Sequence, residues 1–280
     1  MDKLHGGFFN MMKTILAAAI ATSLAAGAMA QPGTTHTVDL GQGLTLMPMV
    51  FPPAPSKSYI PPDPHSRAAV IVVPEWYGRN EFALKKARDV ADLGYVGIAW
   101  DMYGDAKVAT SSQEAGKWSG ALKKDRAEMR RRIDAAVKFA RSLPQVDPQC
   151  IGAIGFCFGG TTVLELARDG ADVRSVVSFH GGLDAGADVK TTSPVSAKIL
   201  VLHGADDPHV PPAQVDAFKS EMKGAKADME FVAYPGAVHS FTNPKAGNDP
   251  SKGAAYNSEA SYKSWQAMRD FLWKTLAPKK

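Results

Sequence analysis

The residues most able to do chemistry stand in the segment Ile151-Gly-Ala-Ile-Gly-Phe-Cys-Phe-Gly-Gly160, where Cys157 has a glycine two positions before it and another two after. An apolar run leads in and helix-forming residues lead out from about Phe158, so the segment reads as strand, sharp turn, helix. A turn that tight presses backbone against backbone, which Gly155 and Gly159 allow, and it holds the residue between them in a strained, exposed pose. A sulfur at a helix N-terminus meets partial positive charge, a setting that makes a thiol reactive.

Nucleophilic chemistry of this kind needs a base and an acid to orient it, in the chain order nucleophile, acid, base. The acid can come from Ile199-Leu-Val-Leu-His-Gly-Ala-Asp-Asp-Pro-His-Val-Pro211, which offers Asp206 and Asp207 at a strand end. The base can come from Tyr234-Pro-Gly-Ala-Val-His239-Ser-Phe, after the last strand. Three other histidines compete for that role. His203 precedes the acid and reads as packed in a strand, His209 is too close to the acid to span to Cys157, and His180 ends the strand after the elbow helix. Chain order favours His239.

These groups need a scaffold that brings strand ends together. Continuous apolar runs at Ala68 to Val73, Tyr95 to Trp100, Ile151 to Gly155, Val173 to Phe179, Ile199 to His203 and Met229 to Tyr234 predict buried strands. Helical spacing predicts helices over Glu81 to Leu93, Asp125 to Leu143 and Glu259 to Leu276. Runs that are apolar throughout mark an α/β fold with a mostly parallel central sheet and helices on both faces. The run Arg130, Arg131 and Arg132 is expected to face water. The polar stretch from Gly104 to Lys124 is long for a connection and is expected to form a lid.

The remaining sequence sets boundaries. Of 280 residues 45% are hydrophobic, and 32 basic and 28 acidic residues are scattered, so nothing asks for nucleic acid. Met11, Met12 and Lys13 precede the apolar run Ile15 to Leu24 and then Ala28-Met29-Ala30, the pattern of a signal peptide cleaved after Ala30. The expected product is a periplasmic or secreted protein, residues 31–280 as one domain, monomeric and without membrane attachment. Cys150 and Cys157 lie on one extended strand, about 23 Å apart at roughly 3.3 Å per residue, too far to bridge. No HExxH or paired CxxC spacing occurs, and no metal or organic cofactor is expected.

Taken together, GFCFGG, HGADDPHVP, YPGAVHSF and the upstream VVPEWYG resemble the dienelactone hydrolases, an α/β-hydrolase family, over about Ala68 to Leu276. The resemblance implies Cys157 as nucleophile, His239 as base and Asp207 rather than Asp206 as acid, four residues before Pro211. It further implies that Glu75 contacts the resting thiol and that the N–H groups of Trp76 and Phe158 form an oxyanion hole. The implied substrate is a small ester or lactone, opened through an acyl-enzyme. The family's substrate-binding arginine is replaced by Asn243, which leaves Lys245 and Arg79 as candidate anion partners. A broad carboxylesterase, or an exported binding protein without chemistry, is the alternative.

Overall fold

The computed structural model describes residues 32–54 and 67–277. The expected signal segment and most of the Pro-rich stretch before Arg67 lie outside the described residues. Strands β5 (Arg67–Val73), β6 (Val96–Ala99), β7 (Val146–Phe156), β8 (Ser175–Phe179), β9 (Lys198–Gly204) and β10 (Met229–Tyr234) pair in parallel in the order β6-β5-β7-β8-β9-β10. Two antiparallel strands extend the β6 edge: β4 (Met49–Phe51) and, beyond it, β1 (Thr34–Thr35). A small ribbon of β2 (Val38–Asp39) and β3 (Thr45–Leu46) stands apart from the sheet.

Both sheet faces are covered, which is why the strands read as unbroken apolar runs. Ala69, Ile71 and Val73 pack under α3 (Arg126–Ser142) and α4 (Phe158–Arg168), while Ala68, Val70 and Val72 pack under α1 (Glu81–Asp92) and α6 (Ser258–Leu276). Asn80 caps α1 by accepting the Ala83 N–H, and Asn257 caps α6 by accepting the Ala260 N–H. The chain runs from β5 outward to β6 and then crosses to β7 on the other side of β5. That reversal opens a crevice at the C-terminal ends of β5 and β7, where loops diverge and a ligand can enter.

The structure adds to or corrects the sequence reading in three places. The stretch from Gly104 to Lys124, expected to form a lid, contains α2 (Ser112–Lys124), capped where Ser111 Oγ accepts the Glu114 N–H at 3.2 Å. Its buried face is Ala115, Ser119 and Leu122, too weakly apolar to announce a helix. Helix α5 (Pro212–Gly224) was likewise not predicted, because Phe218 and Met222 are its only buried residues. The arginine run does not all face water. Arg130 turns inward and donates from Nε to Glu165 Oε2 at 2.9 Å, whereas Arg131 and Arg132 reach the Glu128 carboxylate near the surface. No helix among the described residues is long and apolar enough to cross a membrane.

Candidate active site

Strand β7 ends at Phe156, and α4 begins at Phe158, so Cys157 occupies the turn alone, at φ 53° and ψ −113°. Left-handed φ is uncommon for a residue with a side chain and marks local strain. Its neighbours make the turn possible. A Cβ on Gly155 would sit 2.0 Å from the Gly159 carbonyl oxygen, and one on Gly159 would sit 2.3 Å from that of Val73. Both partners are backbone atoms that cannot step aside, so Gly159→Ala is expected to lower unfolding free energy by about 3 kcal/mol or more, measured by urea denaturation. Unchanged stability would show that the turn can open.

The three groups predicted to meet do so. His239 Nε2 lies 3.1 Å from Cys157 Sγ, and its Nδ1 lies 2.8 Å from Asp207 Oδ2. Asp207 is 4% exposed, and its other oxygen accepts the His209 N–H at 2.9 Å, so the carboxylate is fixed from both sides. Asp206, the alternative acid, is exposed and accepts the Gly236 N–H instead. Burial opposes a charge on His239, but the Cys157 sulfur and the Asp207 carboxylate outweigh it and raise its pKa to about 10.

Two of the three histidines that competed with His239 turn out to be its neighbours. His180 packs edge to face against the His239 ring at 5.4 Å, and His209 does so from another side at 5.1 Å. His180 is buried at the end of β8. Its Nδ1 accepts the Cys157 N–H at 3.1 Å, and its Nε2 lies 2.8 Å from Thr242 Oγ1. Buried His203 packs against Phe231, as expected.

Glu75 follows β5 and is 4% exposed, but it does not hold the thiol as the resemblance implied. Cys157 Sγ faces His239, while Glu75 Oε2 accepts from Asn243 Nδ2 at 2.7 Å. Burial pushes the Glu75 carboxyl above the usual carboxylate range, with the Asn243 hydrogen bond opposing. The residue that replaces the family's arginine therefore works on Glu75, a contact that spacing alone could not reveal. Trp76 is anchored where its carbonyl accepts from Tyr103 Oη at 2.9 Å. The Phe158 N–H belongs to the first turn of α4, whose donors have no partner within the helix.

Together these residues border a cleft of about 680 Å³ whose walls include Glu75, Trp76, Cys157, His209 and His239. Lys245 and, unforeseen, Lys123 of α2 supply cations to the wall, and Asp184 supplies an acid. Arg79 does not line the cleft; it is buried beside Asp101, and burial holds its basicity below the usual value.

Comparison with known proteins identifies the family. The model of the dienelactone hydrolase family matches residues 56–276. A putative carboxymethylenebutenolidase of Methylorubrum extorquens is 28% identical over 274 residues, covering 93% of this chain and 91% of its own. A probable 2-oxo-3-(5-oxofuran-2-ylidene)propanoate lactonase of Bradyrhizobium sp. is 30% identical over 62% of this chain and 73% of its own. Among solved structures, a dienelactone hydrolase-like promiscuous phosphotriesterase from metagenomic libraries superposes with a TM-score of 0.75 at 36% identity, covering 88% of this chain and 100% of its own. A family match that spans most of the chain, and a solved structure that superposes over the same sheet, place this chain in the dienelactone hydrolase family of α/β-hydrolases, enzymes of ester and lactone bonds.

Proposed function

We propose that the protein is an exported hydrolase that opens esters or lactones through a thioester on Cys157. The observation that carries this reading is the unbroken contact from Cys157 Sγ through His239 to Asp207 at the floor of an open cleft. The thiolate of Cys157 attacks the acyl carbon, and the carbonyl oxygen takes up negative charge between the N–H groups of Phe158 and Trp76. The bond to the leaving oxygen then breaks, and that oxygen takes the proton from His239. Neutral His239 next removes a proton from water, which attacks the thioester and releases the acid and the thiolate. Asp207 keeps the imidazole oriented throughout. Thiolate leaves more readily than alkoxide, so substrates with a stabilised leaving oxygen, enol esters and lactones, suit the site. Export is supported by the N-terminal sequence pattern.

Acid quenching during turnover of p-nitrophenyl acetate should trap one acetyl group on the peptide containing Cys157, identified by mass spectrometry. On a linear alkyl ester, whose leaving oxygen must be protonated, kcat/KM should fall as pH rises through about 10, because above that value His239 no longer carries the proton. Turnover without an acylated Cys157 peptide would rule the thioester out. Comparing lactones with linear aryl esters would then separate a lactonase from a broad esterase.

A further inference from the structure

His180 has a task that the reaction above leaves unassigned. It is 1% exposed and adopts φ +39°, a backbone setting that side chains rarely take. A buried imidazole in a strained pose has to be held by its surroundings. Both of its nitrogens are engaged. Nδ1 accepts the Cys157 N–H, which is also shared with the Phe179 carbonyl at 3.0 Å. An Nδ1 that accepts puts the ring proton on Nε2, which donates to Thr242 Oγ1. Burial, and behind it the charge on His239, hold its basicity well below the ordinary imidazole range, so it stays an acceptor at Nδ1.

The ring, at the end of β8, also bridges two other segments. At one end is the elbow after β7, and at the other is Thr242, three residues beyond His239 in the loop after β10. Between them His239 and Phe241 pack edge to face against it, at 5.4 and 5.0 Å. We propose that His180 is a positioning residue: one neutral imidazole bonded to the nucleophile's backbone and to the base loop sets the separation of Cys157 Sγ and His239 Nε2. It touches no substrate and transfers no proton. The proposal rests on the roles given to Cys157 and His239 above.

The test reads the acylation rate per titrated active site, from the p-nitrophenol burst with p-nitrophenyl acetate, together with KM and Tm. His180→Phe keeps a ring against His239 and Phe241 but has no acceptor, and should slow acylation by about 10- to 100-fold with KM within about twofold. His180→Asn offers an oxygen near the Nδ1 position and should recover part of that loss. Thr242→Val, close in shape and expected to fold even if the His180 variants do not, should slow acylation by about threefold to tenfold with little change in Tm. Parental acylation rates in Thr242→Val and in the folded His180 variants would overturn the proposal. So would a loss carried wholly by KM, or a lowered Tm with an unchanged rate per site, which is what a purely structural residue gives. A parent enzyme that turns over with no acetyl group trapped on its Cys157 peptide would instead overturn the thioester reading itself.

Discussion

Cys157→Ala is expected to lower kcat on p-nitrophenyl acetate and on lactones by about four to six orders of magnitude, with KM changed little. The sulfur is the atom proposed to bond the acyl carbon, and alanine removes it while leaving a Cβ that the elbow already accommodates. Fold and cleft should survive, so Tm should stay near that of the parent. That combination separates chemistry from stability. Turnover within tenfold of the parent would mean that water attacks directly and that the sulfur is a bystander. Asp207→Asn should lower kcat by about 10⁴-fold, at the low end of that range, because the imidazole keeps its place but loses the partner that orients its proton.

The second large effect concerns stability. Glu165 is fully buried on α4 and serves three guanidinium groups: Oε2 accepts from Arg130 Nε at 2.9 Å, Oε1 accepts from Arg168 Nη1 at 3.0 Å, and Arg126 Nη1 lies 3.6 Å away. Arg168 also donates to the carbonyls of Leu183 and Asp184, and so ties down the loop that forms one wall of the cleft. Glu165→Ala leaves buried cations short of a counter-charge, which costs about 3–5 kcal/mol. Urea denaturation should show that loss, with substrate binding weakened as the 182–184 loop loosens. A stability unchanged within about 1 kcal/mol would show that Glu221 and Asp169 can carry these arginines without it.

Much of this was legible in the sequence, for reasons tied to particular residues. The second half of β7 and its elbow were readable because only glycine fits on either side of Cys157, and because the run from Ile151 is buried and apolar, whereas Asp147 and Gln149 hid the strand's exposed start. His239 and the pair Asp206 and Asp207 were readable because the fold sends successive strand ends to the same rim, while the choice of Asp207 came from the resemblance to the dienelactone hydrolases. Helix α2 was not readable, since Leu122 is the only large aliphatic residue on its buried face. The edge strands β1 and β4 are two and three residues long, too short for a period to show. The inward turn of Arg130 depends on Glu165, 35 positions away, which no local pattern records. His180 was weighed only as a rival base, because chain order cannot say which ring nitrogen faces which partner.

The spacing of the two cysteines carries a last consequence. Cys150 is buried along β7 and Cys157 crowns its end, and the chain has no third cysteine. Peroxide that converts the reactive sulfur to a sulfenic acid would meet no resolving thiol within the molecule, so protection against irreversible sulfinic acid has to come from small thiols outside it. An enzyme so built trades self-repair for an unencumbered nucleophile.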